Sequence, residues 1–431
     1  MRHMRSKLTL VFIWLFMFTI VAQQYPGFRV QGRHLYDKCG ERVILRGINN
    51  PNIWFEKNGG NRYSEIKQTG ANVIRIVWET YGTAAELDQA ITNCIAEGLI
   101  PMVELHDATG DLSKLPECID YWTNTDIVDI IIQHEEYLLI NIANEAGQWG
   151  VTGTTFKNTY AGAVADMRDA GIHVPLIIDG TDWGKDINIL QSQGPALIEA
   201  DPDHNLMFSV HMWWPEMYGY EESDIGNEID ESVQMGLPLI VGEFSQMHGQ
   251  CNDINITDEN AIAYKTIIRE CHENQVGYIA WSWFGNCNQN WDMSSGGTYE
   301  TLYDWGLEVA VTDDYSIANT SRRPYFILHG ECNPDVTPAP LSEPEEVTLM
   351  QNHPNPFSQS TRVTYFLSEA NQVELVIYNS QGEELGKPLQ AFQSPGEYSV
   401  EISAGDLHPG VYFYSLSTGG SRQTKCMLII E

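Results

Sequence analysis

Short apolar runs recur along most of the chain, each rich in Val, Ile and Leu and apolar on both faces. Such runs are typical of strands in a parallel sheet that is covered on both sides. Eight of them lie at residues 42–50, 72–79, 100–107, 137–145, 174–180, 206–214, 237–244 and 277–284. The spacing leaves room for a helix between successive strands.

The segments between the runs carry helix signals. Residues 83–98 and 154–171 place apolar residues at helical spacing and end on glycine, a frequent helix C-cap. Residues 257–275 open with Thr257 and Asp258, and we expect the helix N-cap there. Eight strand–helix units predict an α/β fold, the (β/α)8 TIM barrel. An open doubly wound sheet is the alternative, but no glycine-rich phosphate loop follows the first strand.

The ends of the chain differ from this pattern. Residues 1–22 have basic residues, an apolar run and a final Ala22, the layout of a secretory signal peptide. An uncleaved anchor is the alternative, although the run is short for a membrane span. We expect the barrel to occupy residues 24–332, followed by a Pro- and Glu-rich linker over 333–346. Alternating strands over 347–431 predict a small all-β, immunoglobulin-like sandwich.

The formal charge of the 431-residue chain is −34. This balance argues against binding to nucleic acid or to anionic membranes, whereas it does not repel a neutral polysaccharide. The eight cysteines are scattered and include no CxxC pair, so we expect no zinc site, and the chemistry below needs no metal or other cofactor.

Polar side chains follow the predicted strands at one end, where a barrel of this kind carries its chemistry. Glu145 ends the fourth predicted strand and Glu243 the seventh, so the two carboxylates can face one cleft across the barrel mouth. Such a pair suits glycosidic bond cleavage, in which one carboxyl donates a proton and the other attacks the sugar carbon. We expect Glu243 to raise the pKa of Glu145, and Arg75 to keep Glu243 ionised.

Other residue types at this rim fit a sugar site. Histidine and asparagine can hydrogen-bond the carboxylates or a sugar, and indole faces offer apolar surface on which sugar rings stack. The residues that we place around the substrate are Arg75, His106, Asn144, His211, Trp54, Trp149, Trp213 and Trp281.

Several stretches of the predicted barrel carry a family resemblance: "GFRVQGRHLYDKCGERVILRGIN", "GANVIRIV", "VELHDATG", "INIANE", "FSVHM", "LIVGEF" and "AWSW". In this order, over about residues 27–310, they resemble glycoside hydrolase family 5, a retaining clan A family, and within it the bacterial endo-β-1,4-mannanases. The resemblance implies that Glu145 is the acid/base and Glu243 the nucleophile. It also implies a subsite around the cleaved bond formed by Arg75, His106, Asn144, His211 and Trp281.

The sequence departs from this family at two positions. The mannanases usually have a Tyr two residues after the strand-six His, where its hydroxyl binds the nucleophile, but this chain has Trp213. Tyr218 or Tyr220 is the expected replacement. The acid/base is usually followed by an aromatic residue, but Ala146 stands here, and Trp149 is the candidate for a displaced platform.

The final segment resembles the C-terminal sorting domain of the type IX secretion system, through "LMQNHPNPFSQSTRVTYFLSEANQVELVIYNSQGEEL" and "LHPGVYFYSLSTGGSRQTKCMLII". A carbohydrate-binding module is the alternative, but the segment lacks an aromatic platform. The resemblance implies export through Sec and the type IX machinery, which would be a partner of this segment, to the medium or the cell surface.

Cys251 and Cys287 follow strands seven and eight, so adjacent loops can bring them together as a disulfide; two free buried thiols are the alternative. The prediction is therefore a secreted, monomeric, retaining endo-glycosidase that cleaves β-1,4-mannosidic bonds in mannan or glucomannan. An endo-β-1,4-glucanase of the same family and a non-catalytic glycan-binding protein are the alternatives.

Overall fold

The structure, a computed structural model, describes residues 26–251, 255–334 and 347–430, except for 353, 368–369, 380–381, 383, 395, 406 and 419–421. The predicted signal peptide, residues 1–22, lies outside the described residues, as does most of the predicted linker, 333–346. Among the described residues, no helix has both the length and the hydropathy that crossing a bilayer requires.

A small antiparallel sheet opens the described chain, with strand order β1-β2-β3. Its strands are β1 (Arg29–Gln31), β2 (His34–Tyr36) and β3 (Arg42–Val43). Leu35 and Val43 from this sheet are buried in one cluster with Val73 and Ile100, at the amino-terminal ends of barrel strands. The sheet therefore closes the end of the barrel that is opposite to the predicted cleft.

Eight parallel strands form the closed barrel. They are β4 (Arg46–Asn50), β5 (Val73–Trp78), β6 (Ile100–Leu105), β7 (Leu139–Asn141), β8 (Leu176–Asp179), β9 (Leu206–His211), β10 (Leu239–Glu243) and β11 (Gly277–Ala280). Each lies within one of the eight apolar runs, and all of their residues are buried. The predicted TIM barrel is confirmed, and the open doubly wound sheet is excluded because β11 pairs with β4.

Helices connect the strands and cover the barrel. They are α1 (Arg62–Gln68), α2 (Ala84–Ala96), α3 (Leu115–Trp122), α4 (Thr125–Gln133), α5 (Gly153–Asp169), α6 (Ile187–Ala200), α7 (Glu222–Gln234) and α8 (Tyr264–Glu273). The α2 helix begins with a capping box formed by Thr83 and Glu86. It ends before Gly98, whose φ of +68° is the left-handed conformation that glycine adopts readily.

The start of α8 differs from the prediction. We expected its N-cap at Thr257 or Asp258, but the helix begins at Tyr264. The preceding residues pair with the loop after β10: the N–H of Ile262 donates to the carbonyl of Gln246 at 2.9 Å. These backbone groups therefore have partners outside a helix, which removes the reason for the helix to extend further back.

Three short helices complete the barrel region, namely α9 (Asp304–Leu307), α10 (Ile317–Thr320) and α11 (Tyr325–His329). A disulfide joins Cys332, shortly after α11, to Cys39 in the N-terminal sheet region, with Cα atoms 5.4 Å apart. The pairing closes a sequence separation of 293 residues. It links the start of the barrel region covalently to its end.

The C-terminal segment forms two antiparallel sheets, with strand orders β12-β13-β16 and β15-β14-β17-β18. The strands are β12 (Val347–Leu349), β13 (Ser360–Leu367), β14 (Asn371–Asn379), β15 (Glu384–Gln393), β16 (Gly396–Ser403), β17 (Gly410–Ser417) and β18 (Arg422–Ile429). Side chains from both sheets, such as Val363 and Leu416, share one buried cluster. The predicted all-β sandwich is confirmed.

Candidate active site

Arg75 is the centre of a buried polar network beneath the mouth of the barrel. It is the third residue of β5, and its side chain is fully buried. Nη1 donates to Glu243 Oε1 at 2.8 Å, and Nη2 donates to Asn144 Oδ1 at 2.7 Å. The remaining bonds reach Asn49 Oδ1 and Asn141 Oδ1, both at 2.9 Å. A buried guanidinium needs this degree of pairing. Through these bonds Arg75 fixes the positions of Glu243 and Asn144 relative to each other.

Glu243 ends β10 and is held at both carboxylate oxygens. Oε1 accepts from Arg75, and Oε2 accepts from the indole Nε1 of Trp213 at 3.2 Å. Trp213 therefore supplies the donor that a Tyr usually supplies at this position of the family. Tyr218 and Tyr220, the replacements suggested by the sequence, line the cleft, but the bond to Glu243 comes from Trp213 itself.

Glu145 stands just beyond β7 in a left-handed backbone conformation, with a φ of +46°. Non-glycine residues rarely adopt this conformation unless their surroundings enforce it. Its N–H donates to Asp179 Oδ2 at 3.0 Å, and its carbonyl accepts from the N–H of Gly110 at 2.9 Å. Its Oε1 lies 2.8 Å from Nδ1 of His211. These contacts from the neighbouring strands and loops aim the carboxyl into the cleft.

The two carboxyls are close together and buried, and the closest ligand atoms of Glu145, His211 and Glu243 all lie within 4.8 Å of one another. Burial raises the pKa of Glu145 well above its ordinary value, and the charges of Glu243 and Asp179 raise it further. Burial also raises the pKa of Glu243, to about 7, although Arg75 opposes the rise. Arg75 thus acts in the expected direction and favours the ionised form of Glu243, but burial outweighs its effect on the pKa.

Two carboxyls in one buried cleft share their protons as a pair. Glu243 has the guanidinium and an indole N–H as partners, both of which favour its charged form. Glu145 faces a histidine that burial keeps neutral, since the pKa of His211 is lowered well below its ordinary value. The proton therefore belongs on Glu145 and the negative charge on Glu243.

His106 follows β6 and forms one wall of the cleft. Its Nδ1 lies 2.9 Å from Oε1 of Glu104, which is completely buried, and its ring stacks on Trp281 with centroids 5.6 Å apart. Burial would lower the pKa of His106, but the Glu104 carboxylate raises it above its ordinary value. The ring of Trp54 meets the ring of His106 edge-on at 5.0 Å, and its Nε1 donates to Glu79 at 2.7 Å.

The cleft above these groups has a volume of about 780 Å³. Besides the two carboxyls it is lined by aromatic and polar side chains, among them His106, Asn144, Asp182, Trp183, Lys185, Trp213, Tyr218, Tyr220, His248, Gln250, Trp281 and Trp291. A second cavity of about 490 Å³ shares Asp182, Lys185, Tyr218 and Tyr220 with it. Trp149, 80% exposed, lines this second cavity, so it lies beyond the carboxyl pair.

The wall after β10 and β11 is cross-linked. Cys251 and Cys287 form a disulfide, with Cα atoms 4.9 Å apart. Beside it, Asn288 Nδ2 donates to the carbonyl of Gln250 at 3.0 Å, and Gln246 Nε2 donates to the carbonyl of Asn290 at 2.9 Å. These bonds join the two loops, which carry His248 and Trp291 into the cleft lining.

Glu145, His211 and Glu243 also have the donor atoms and the spacing of a metal site. The neighbouring charge argues against this use. The Arg75 guanidinium already occupies Glu243 at 2.8 Å, and a divalent cation bound there would meet its positive charge. The arrangement is better suited to proton transfer and nucleophilic attack by the two carboxyls.

Several residues of the site were missed from the sequence. Glu104 and Asn141 lie inside barrel strands, where they support His106 and Arg75 from below. A charged or amide side chain within an otherwise apolar strand was the available signal. Asp182 and Lys185 come from the loop after β8, and nothing in their spacing pointed to the cleft.

A (β/α)8 barrel that presents a protonated and an ionised carboxyl in an aromatic-lined cleft has the architecture of a glycoside hydrolase. The sequence matches the cellulase family, glycosyl hydrolase family 5, over residues 36–286. The chain belongs to glycoside hydrolase family 5. Residues 352–431 match the secretion system C-terminal sorting domain.

Similar proteins are known from several bacteria. A mannan endo-1,4-β-mannosidase of Salipaludibacillus agaradhaerens is 32% identical, over 66% of this chain and 90% of the relative. One of Cellvibrio japonicus is 32% identical, over 69% of this chain and 68% of the relative. The structure of Thermomonospora fusca β-mannanase in complex with mannohexaose is similar at a TM-score of 0.61 and 28% identity, covering 69% of this chain and 98% of that one.

Proposed function

We propose that this protein is an endo-acting β-1,4-mannanase that cleaves its substrate with retention of anomeric configuration. The observation that carries the mechanism is the closeness of Glu145 and Glu243, whose closest oxygens lie within 4.8 Å. Retaining enzymes hold their carboxyls about 5–5.5 Å apart, whereas inverting enzymes need roughly 6.5–9.5 Å to admit a water molecule between carboxylate and sugar.

The two carboxyls divide the reaction into two steps. In the first, Glu243 attacks the anomeric carbon while Glu145 protonates the departing glycosidic oxygen, so a covalent glycosyl–enzyme forms and the leaving chain is released. In the second, Glu145 removes a proton from water, which attacks the same carbon and frees Glu243. Arg75 and Trp213 support the first step because they keep the nucleophile oriented and charged.

The shape of the cleft and the relatives support a polymeric mannan as the substrate. The cleft continues past Asp182 and Lys185 into the second cavity, which gives room for further sugars of a polymer. Exposed indole faces, such as that of Trp183, suit the apolar faces of sugar rings. Two similar proteins of about one-third identity are mannan endo-1,4-β-mannosidases.

We infer that the protein is exported and acts outside the cell. The match to a secretion system sorting domain over residues 352–431 supports type IX export, and the sequence pattern of residues 1–22 supports prior passage through Sec. We also propose that the exported chain has three parts: a catalytic barrel (24–332), a linker (333–346) and a sorting domain (347–431). A polysaccharide that cannot enter the cell is the substrate for which export is useful.

The test compares reducing-sugar release from unbranched mannan, glucomannan and carboxymethyl cellulose by the purified protein. Glu145→Ala and Glu243→Ala should both lose activity, whereas Glu97→Ala, a matched change at the surface ion pair with Lys67, should not. Cleavage of carboxymethyl cellulose without cleavage of mannan would contradict the mannan assignment and favour the glucanase alternative. No cleavage of any of the three would favour the glycan-binding alternative.

The stereochemistry is tested separately with an aryl β-mannoside that has a good leaving group. Proton NMR should detect the β-anomer as the first product of the wild-type enzyme. Azide should restore turnover to Glu145→Ala with a β-glycosyl azide as the product, and to Glu243→Ala with the α-azide. An α-anomer as the first wild-type product would contradict the double-displacement mechanism.

A further inference from the structure

Asp179 is a buried carboxylate that the reaction described above does not use. It ends β8 and is fully buried beneath the cleft. Its two oxygens nevertheless contact groups that hold Glu243 and Glu145 in place. Oδ1 accepts from Asn141 Nδ2 at 2.9 Å, and Asn141 in turn accepts from Nε of Arg75 at 2.9 Å. Oδ2 lies 3.6 Å from Nη2 of Arg75. Asp179 thus braces the guanidinium that holds Glu243.

The second contact of Asp179 is with the backbone of the acid/base. Oδ2 accepts the N–H of Glu145 at 3.0 Å, and Glu145 has the strained φ of +46°. A charged acceptor on this N–H stabilises a backbone conformation that a glutamate otherwise avoids. The same conformation directs the Glu145 side chain towards His211.

The third contact concerns the proton of His211. This ring is buried and neutral, with Nδ1 at 2.8 Å from Glu145 Oε1 and Nε2 at 3.4 Å from Asp179 Oδ2. Nε2 forms no hydrogen bond with the described residues, so the nearby carboxylate charge acts on it electrostatically. The Glu243 carboxylate lies 3.5 Å from Nδ1, but Arg75 and Trp213 donate directly to its oxygens and offset its charge. The Asp179 charge beside Nε2 therefore favours the tautomer with the proton on that nitrogen. Nδ1 is then an acceptor, and only a protonated Glu145 can donate to it.

We propose that Asp179 is a positioning residue that fixes the backbone of Glu145 and the tautomer of His211, and so presents Glu145 to the substrate as a protonated acid. This assignment rests on the proposed glycosidase function. It gives His211 a defined direction of hydrogen bonding: it accepts the proton of Glu145 before the first step. The acid is then aimed before any sugar binds.

Several charged or titratable groups face Asp179 from the surrounding elements: Arg75 from β5, Glu104 from β6, Glu145 after β7, Tyr160 from α5, His211 from β9 and Glu243 from β10. Burial raises the pKa of Asp179 itself to about 6, with Arg75 opposing the rise, so Asp179 is mostly ionised at pH 7. Its charge raises the pKa of Glu145 and of Glu243.

The sign of the pH effect follows from these contacts. Activity falls at high pH when Glu145 loses its proton, and at low pH when Glu243 gains one. The isosteric change Asp179→Asn removes a negative charge near both groups, so both pKa values fall. Both limbs of the kcat/KM profile should therefore move to lower pH, which a loss of packing alone would not cause.

The first arm of the experiment is kinetic and uses the full chain. Asp179→Asn should lower kcat roughly 10- to 100-fold, the range expected when a hydrogen bond to a charged group is lost, with little change in KM. Asp201→Asn is the matched control: Asp201 is also fully buried, but it pairs with Arg168 at 2.9 Å, away from the cleft lining. It should lower the thermal stability and leave both pH limbs in place.

The second arm needs no activity. Nitrogen-15 NMR of labelled histidines, with the His211 signals assigned by their loss in His211→Asn, should show the proton on Nε2 in the wild type and a changed tautomer population in Asp179→Asn. A wild-type proton on Nδ1, or unmoved pH limbs in folded Asp179→Asn, would overturn the assignment. Absence of wild-type hydrolysis with the Nε2 tautomer present would count against the proposed function and leave the positioning of Glu145 by Asp179 standing.

Discussion

Trp213 allows a sharp test of how the nucleophile is supported. Its Nε1 donates to Glu243 Oε2 at 3.2 Å, while Oε1 is held by Arg75 at 2.8 Å. The change Trp213→Phe removes this donor but keeps an aromatic ring, which can still meet the edge of Trp291, now 5.7 Å away. Trp213→Tyr is the matched variant, since it differs from Trp213→Phe by one hydroxyl group and restores the donor that the family usually has.

The expected magnitude follows from the geometry. A hydrogen bond to a charged group contributes about 1.5–3 kcal/mol, and 3.2 Å is at the long end of the range for N–H···O bonds. The lower value, about 1.5 kcal/mol, corresponds to a rate change of about 12-fold. The bond helps most when Glu243 regains its charge, so its loss should slow the breakdown of the glycosyl–enzyme by about this factor. Because the donor also stabilises the anion before reaction, the acidic limb of kcat/KM should move to higher pH.

The assay is pre-steady-state release of dinitrophenol from a dinitrophenyl β-mannobioside. Trp213→Phe should give a burst followed by slow turnover, because the covalent intermediate accumulates. Trp213→Tyr should return the steady rate towards that of the wild type. Wild-type rates and an unmoved acidic limb in Trp213→Phe would refute the reasoning, as would an equal loss in Trp213→Tyr.

Two further predictions concern the walls of the cleft. Replacing both Cys251 and Cys287 by Ser should reduce the free energy of unfolding by about 3–4 kcal/mol, the chain-entropy value for a loop of this size, and lower the denaturant midpoint. Cys426→Ser, at an exposed free thiol, is the control and should leave the midpoint unchanged. Trp149→Ala should raise KM for long mannan but not for mannotriose, because Trp149 lines the second cavity and is absent from the lining of the cleft that holds the two carboxyls. If Trp149→Ala has the same KM as the wild type for both substrates, the second cavity does not take part in substrate binding.

Much of the barrel could be predicted because a strand that is buried on both faces appears in the sequence as a short, continuous apolar run. Each apolar run contains a strand, and the strand ends set the positions of Glu145 and Glu243 at one rim. The start of α8 could not be predicted, since Thr257 is a good N-cap by type. Its segment instead pairs with the loop after β10, a partner that only the folded chain brings near.

The contacts within the site depend on side-chain orientations, which cannot be read from the neighbouring sequence. Trp213 lacks a hydroxyl, and only the orientation of its ring reveals that the indole N–H reaches Glu243. Glu104 is a single acid within an apolar strand, and only the folded chain places its carboxylate against His106. The balance between burial and ion pairing at Glu243 also required the folded structure, because burial of a carboxyl cannot be measured from residue types alone.

The disulfide between Cys39 and Cys332 has a mechanical consequence. A force applied to the sorting segment reaches the barrel region through the chain beyond residue 332. Because Cys332 is covalently joined to the N-terminal sheet region, tension passes across the bond to Cys39. The last helix, α11, is therefore not the first element to be peeled away, and the barrel carries the load between its two ends through a covalent link.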